Sequence, residues 1–263
     1  MASSTGHVTY EIDGDVALLG LNRPEKRNAI SDAFVIEIGE AVARAGKEAK
    51  AGVLFGHGDH FCAGLDLAEH VSKTAAEGVQ GSRRWHAIFA TIEHGAIPWI
   101  SALHGAVVGG GLELAASTHI RVAEKSAFFA LPEGQRGIFV GGGGSVRAAR
   151  LMGLARMTDM MLTGRVVSAE QAEKWNLLQY LVGPGEAREK AVALARQAAS
   201  NASLSNYAII HALPRIQDMA ESDGLFVESL MASLTATNPE AEQRLREFLE
   251  KRAKRLAIPD RDS

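Results

Sequence analysis

The chain has 263 residues, 46% of them hydrophobic, a formal net charge of −3 and a single cysteine. That is enough for one large domain, or a domain with an appendage, and the slight acidic balance argues against a nucleic-acid or other polyanion partner. One cysteine excludes an internal disulfide framework and fits a reducing compartment; with no signal-like stretch and no apolar run of membrane-spanning length, a soluble cytoplasmic protein with no membrane partner is expected.

His7–Ile12 alternates and Val16–Leu21 is nearly continuous in apolar residues, with Asp13-Gly14-Asp15 between them, which predicts a β-hairpin. The polar, basic loop Asn22-Arg23-Pro24-Glu25-Lys26-Arg27-Asn28-Ala29 follows, and Ser31 or Asp32 then caps a helix through about Ala45. Gly52–Phe55 reads as a buried strand. His57 and His60 in the next loop could mimic a metal pair, but no third ligand is evident nearby, so no metal is expected. Cys62 sits between apolar residues without a local base and reads as a small core residue. From Ala68 to Glu93 the chain is polar and helical with weak periodicity. Within it Lys73–Ser82 reads as a mobile piece, and Ser82–His94 as an amphipathic helix bearing Trp85, Ile88, Phe89 and Ile92.

The stretch Ser101–Arg136 carries the chemistry. An apolar strand, Ile97–Leu103, leads through His104 and Gly105 to the triplet Gly109–Gly111 and a small-residue helix beginning near Leu112. A second strand, Ala127–Leu131, breaks at Pro132-Glu133-Gly134. Each segment ends on a carboxylate, Glu113 and Glu133, among apolar and small neighbours, where a charge must be paired, protonated or functional. Glycines at a strand-to-helix junction expose N–H groups that no helical carbonyl satisfies, a natural seat for an oxyanion. Tight strand–helix packing, with Glu113 as a helix-dipole complement, remains the alternative for these residues taken singly.

Beyond this stretch, Ile138–Val140 runs into Gly141–Gly144 and a helix through about Met152; no Gly-Lys-Ser/Thr follows, which excludes a phosphate loop of the NTPase type. Helices are expected near Ala155–Thr163 and Ser168–Trp175, a strand at Gln179–Val182, and a helical region from Pro184–Arg188 to about Asn201. Leu204–Ala257 reads as helical throughout, and its last helix, Pro239–Leu256, carries an apolar stripe of Leu245, Phe248 and Leu249. Neither a Gly-x-Ser-x-Gly elbow nor a Gly-x-Gly-x-x-Gly dinucleotide motif is present.

Taken in order, Asn-Arg-Pro-x-x-x-Asn-Ala, Phe-Cys-Ala-Gly-x-Asp-Leu, His-Gly-x-x-x-Gly-Gly-Gly-x-Glu-Leu and Leu-Pro-Glu resemble the enoyl-CoA hydratase/isomerase (crotonase) family over nearly the whole chain. The resemblance implies an α/β fold, a crotonase-like spiral of repeated β-β-α units with a C-terminal helical region. Residues 1–200 would form the spiral core with its acyl-CoA site, and residues 201–263 a helical trimerisation region of a homotrimer or homohexamer. It also implies that an enolate of an acyl-CoA thioester is held by the backbone N–H groups of Leu65 and Gly110. Glu113 would handle the water and Glu133 the α-carbon proton. Lys26, Arg27, Ala29, Ala63, Gly64, Asp66, Leu67 and Gly109 would bind substrate or CoA, with a solvated surface cluster as the alternative for Lys26 and Arg27. CoA belongs to the substrate, and no separate cofactor is implied.

Within the family, having both glutamates favours an enoyl-CoA hydratase. The Δ3,Δ2-isomerases generally keep only the second carboxylate, dienoyl-CoA isomerases add an aspartate where this chain has Gly141–Gly144, and hydroxycinnamoyl-CoA hydratase-lyases usually lack the first glutamate. An isomerase or hydratase-lyase is the alternative, followed by a non-catalytic or RNA-binding member. Ile138-Phe139-Val140-Gly141 and Trp99 depart from the common hydratase phrases, and both are expected to bear on the acyl pocket.

Overall fold

The computed structural model describes residues 3–69 and 73–250. Strand β1 (Ser3–Thr5) pairs antiparallel with β2 (Val8–Asp13), and β2 pairs antiparallel with β3 (Val16–Leu21). Gly14, at φ +61°, supplies the left-handed residue that a two-residue hairpin turn needs. Helix α1 (Asp32–Glu48) follows, capped by the Ser31 side chain, which accepts from the Phe34 N–H. It leads to β4 (Ala51–Gly56).

Helix α2 covers Ala75–Glu93. Lys73–Ser82, part of the stretch expected to be polar and helical, is regular helix from Ala75 onward. Thr74 Oγ1 accepts from the Glu77 N–H, and Glu77 returns the contact by accepting from the Thr74 N–H, a capping box that offsets the low apolar content of the first turns.

Next come β5 (Trp99–Leu103), β6 (Ala106–Val108), α3 (Gly110–Ala116), β7 (Ile120–Glu124) and β8 (Phe128–Ala130). Helix α3 starts two residues earlier than expected, inside the glycine triplet. Strands β6 and β7 were not singled out from the sequence. The former is three residues long, and the latter carries Arg121, whose buried side chain donates to the carbonyls of Leu177 and Thr118. The unit closes with α4 (Gly144–Met152), α5 (Leu154–Thr163), β9 (Val167–Ser168), α6 (Ala169–Lys174), β10 (Tyr180–Val182) and α7 (Ala187–Ala199).

The larger sheet has the order β1-β2-β3-β4-β5-β7-β10 and is parallel from β3 onward; the smaller has the order β6-β8-β9. Strands buried on both faces read as continuous apolar runs. On β3, Ala17, Leu19 and Leu21 enter the cluster that includes α1 residues Phe34 and Ile38, while Val16 and Leu18 enter the one that includes α7 residues Ala191 and Ala195. Trp99 belongs to the first cluster and is 1% exposed, so its expected bearing on the acyl pocket is not seen: it is a core side chain outside the cavity described below.

The described residues fall into two compact units that part between Ser200 and Asn201. The second contains α8 (Ser203–His211), α9 (Leu213–Ile216), α10 (Glu221–Ala236) and α11 (Pro239–Leu249). The expected continuous helicity is interrupted: Pro214 falls in the first turn of α9, and Asn238-Pro239 opens a new helix after α10. Residues 251–257 of the expected last helix lie outside the described residues. On α11, Leu245, Phe248 and Leu249 are exposed. No helix among the described residues is long and apolar enough to cross a membrane. The mixed α/β architecture with its helical C-terminal region agrees with the fold class expected from the sequence.

Candidate active site

Two backbone segments meet at the head of α3. The first, Ala63–Asp66, is fixed by Ile30: the Ile30 N–H donates to the Gly64 carbonyl at 2.7 Å and the Asp66 N–H donates to the Ile30 carbonyl at 2.9 Å. This parallel bridge uses the groups on either side of the Leu65 N–H. The second segment is the β6–α3 junction, where Gly109 is left-handed at φ +53° and its N–H donates to Ala130. A Cβ built on Gly110 would stand 3.5 Å from the Leu65 nitrogen and 2.9 Å from the Trp85 ring, so the junction has no room for a side chain. Neither the Leu65 nor the Gly110 N–H has a backbone or side-chain acceptor among the described residues. Two adjacent open donors suit an oxygen that acquires charge.

The loop before α1 braces the first segment. Arg23 Nη1 donates to Asp66 Oδ2 at 2.8 Å and to the Ala29 carbonyl at 3.1 Å. Asn28, fully buried and left-handed at φ +55°, donates through Nδ2 to the carbonyls of His57 and His60, while its Oδ1 accepts from the Arg23 N–H. The Asn-Arg-Pro-x-x-x-Asn-Ala phrase therefore acts here as a backbone clamp.

Glu113, one turn into α3, is buried, and its Oε1 accepts from the N–H groups of both Gly142 and Gly144 at 2.8 Å. The glycine run before α4 is thus a carboxylate seat. A Cβ on Gly144 would come within 2.8 Å of Glu113 Cγ. The turn is held from two sides: Ser82 Oγ donates to the Gly141 carbonyl at 2.6 Å, and Arg147 Nη1 donates to that of Gly142 at 3.0 Å. Arg147 is itself anchored by Glu93 at 2.6 Å. Burial raises the Glu113 proton affinity, against the pull of the Gly144 and Gly142 N–H groups.

Glu133 stands where β8 gives way to a 3-10 turn over Gly134–Arg136. It is 7% exposed, and its Oε2 is buried with no hydrogen-bond partner among the described residues. Burial, with Glu113 as a nearby like charge, pushes its pKa up to about 7, partly offset by its own backbone N–H and by Arg136. The two carboxylates therefore sit in unlike surroundings, one cradled by two glycine N–H donors and one with a buried oxygen that has no partner among the described residues.

Both line a single cleft with about 720 Å³ of empty space, part of it open to solvent. Ala63, Gly64, Leu65, Leu67, Gly109 and Gly110 of the expected site are on its wall; Lys26, Arg27, Ala29 and Asp66 are not. Lys26 and Arg27 are exposed, and the Asp66 carboxylate is engaged by Arg23, whose hydrogen bond holds its pKa below the usual carboxylate range. His57 and His60 turn to different partners, Thr9 Oγ1 and the Ala106 N–H, and no metal-holding cluster occurs among the described residues. Cys62 is buried, and desolvation pushes its thiol up to about 12, which fits a core residue. Sequence reasoning missed Ser82, Trp85 and Arg147 as parts of the site. The sequence places Trp85 on an apolar helix face, and no local signal shows that this face meets the glycine turn.

The enoyl-CoA hydratase/isomerase family model matches residues 11–256. The chain is 30% identical over 245 residues to an enoyl-CoA hydratase of Mycobacterium tuberculosis, covering 91% of this chain and 92% of that protein. It is 32% identical over 266 residues to the mitochondrial methylglutaconyl-CoA hydratase 1 of Pyricularia oryzae, covering 89% of this chain and 76% of that one. A solved structure from Rhodopseudomonas palustris, provisionally named an enoyl-CoA hydratase, superposes with a TM-score of 0.91 at 47% identity, covering 95% of this chain and 98% of that one. The chain belongs to the enoyl-CoA hydratase/isomerase family.

Proposed function

We propose that the protein is an enoyl-CoA hydratase, adding water reversibly to a 2-enoyl-CoA thioester to give the 3-hydroxyacyl-CoA. The observation that carries this reading is the pair of buried carboxylates, Glu113 and Glu133, on one cleft beside two open backbone donors. The thioester oxygen accepts from the Leu65 and Gly110 N–H groups, which stabilise the enolate as charge develops; one such donor contributes roughly 2.7–4 kcal/mol in comparable sites. Glu113, its Oε1 fixed by Gly142 and Gly144, orients a water and takes its proton as the oxygen bonds to the β-carbon. Glu133, with a pKa of about 7, holds a proton in a large fraction of molecules near neutral pH and delivers it to the α-carbon. One proton is taken up and one delivered, so the net change is the addition of water.

The test is a spectrophotometric screen of enoyl-CoAs from crotonyl through long-chain to aromatic. Loss of the conjugated thioester absorbance with formation of the hydroxyacyl product supports the reading. Double-bond migration without hydration would replace it with an isomerase.

A further inference from the structure

On α2, residues Gly78, Gly81, Ser82 and Trp85 follow the i, i+3, i+4, i+7 spacing of one helix face, and all four line the cleft. Trp85 lies at the reacting end, its ring against Gly110. At 1.5 Å per residue, Gly81 is about 6 Å and Gly78 about 10.5 Å farther along the helix axis. Glycine is a poor helix former, and two in one helix ordinarily signal close packing. Here they do not: beyond its own helix backbone, a Cβ on either would meet no heavy atom of the described residues within 4 Å, and neither has a positive φ. No neighbour among the described residues therefore requires these glycines, whereas Gly110 and Gly144 are crowded by Trp85 and Glu113. Leu65, Ile138 and Phe139 also line the cleft, Phe139 being 69% exposed, while its charged lining residues include Lys73 and Asp32, paired with each other at 2.7 Å, and Arg136.

We propose that the Gly78–Gly81 face of α2 is the specificity-determining wall of the acyl site. It leaves room for an acyl group that is bulky and apolar beyond the reacting carbons, a ring or a branched chain, wider than crotonyl. The inference rests on the reading of the cleft as an acyl-CoA site.

The test compares wild type with Gly81→Leu and Gly78→Leu by calorimetric titration with two saturated, unreactive thioesters, butyryl-CoA and 3-phenylpropionyl-CoA. Leucine is the better helix former, so each variant should melt no lower than wild type. Wild type should bind the phenyl thioester at least as tightly as the butyryl one. Gly81→Leu should weaken the phenyl thioester about tenfold or more, leaving butyryl-CoA within about twofold; Gly78→Leu should act in the same direction. Equal effects on both thioesters, or none on either, would overturn the proposal. Failure of wild type to bind any acyl-CoA would overturn both it and the acyl-CoA site. If wild type binds both thioesters but hydrates no enoyl-CoA, the hydratase reading falls, and the binding ratio still decides the role of the glycine face.

Discussion

Glu113 Oε1 lies 2.8 Å from the backbone nitrogen of Gly142, whose carbonyl in turn accepts from Arg147. The carboxylate is thus positioned by a glycine turn that is held through its other edge by a cation anchored on α2. Replacing Arg147 with Met should free the Gly142 carbonyl and let the seat drift. A misplacement of about 1 Å can cost about 10²-fold in rate. The expected result is a fall in kcat of that order with KM little changed, and partial recovery in Arg147→Lys. Steady-state kinetics of the three proteins check it; a loss confined to KM would show that Arg147 acts on substrate instead.

The raised pKa of Glu133 also has a consequence for stability. Its carboxyl titrates near 7 in the folded protein and near 4.5 when unfolded, so between those values the folded state binds more protons. Stability from this group is fully present below about pH 4.5 and is lost as pH rises through about 7, a change of up to about 3 kcal/mol. Glu133→Gln cannot ionise and should flatten this part of the profile. Urea denaturation of both proteins at pH 5 and pH 8 measures it: the variant should gain on wild type at the higher pH, and a constant difference would contradict the shift.

The division of labour between the glutamates predicts different partial reactions. Glu113→Gln and Glu133→Gln should each lower hydration by roughly 10²–10⁴-fold. Exchange of an α-proton of a saturated acyl-CoA with deuterated water needs Glu133 and the N–H pair but no oriented water. Glu113→Gln should therefore retain more exchange than Glu133→Gln, as read by proton NMR of the thioester. The reverse order, in folded variants that bind acyl-CoA, would exchange the two roles.

A trimer or hexamer is expected in solution, because Leu245, Phe248 and Leu249 leave an apolar stripe exposed on α11. Light scattering at micromolar concentration should give three or six times the chain mass of 28.0 kDa. A monomer mass would remove this expectation.

Much of the architecture was legible because its signals are local. The Asp13-Gly14-Asp15 turn, the Ser31 cap and the apolar runs of β3 and β4 each follow from short-range rules, and the structure has all of them. The two glutamates stood out because carboxylates among small and apolar neighbours are costly. What stayed hidden depends on contacts distant in sequence. The Gly141–Gly144 run had no assigned partner, because Glu113 lies 29 residues from Gly142. Likewise Asp66 read as a substrate ligand, although Arg23, 43 positions away, engages its carboxylate. Helix α2 begins before Ser82, where its apolar periodicity starts, because the Thr74–Glu77 capping box opens it within a stretch of low apolar content.

A hydratase puts both the oxygen and a hydrogen of water into its product. The most direct measurement is mass spectrometry of the product formed from a 2-enoyl-CoA, in parallel, in water labelled with oxygen-18 and in deuterated water. One labelled oxygen at the β-carbon and one deuterium at the α-carbon per turnover are expected. Deuterium uptake without the oxygen label, or a product whose double bond has moved, would contradict the hydratase reading.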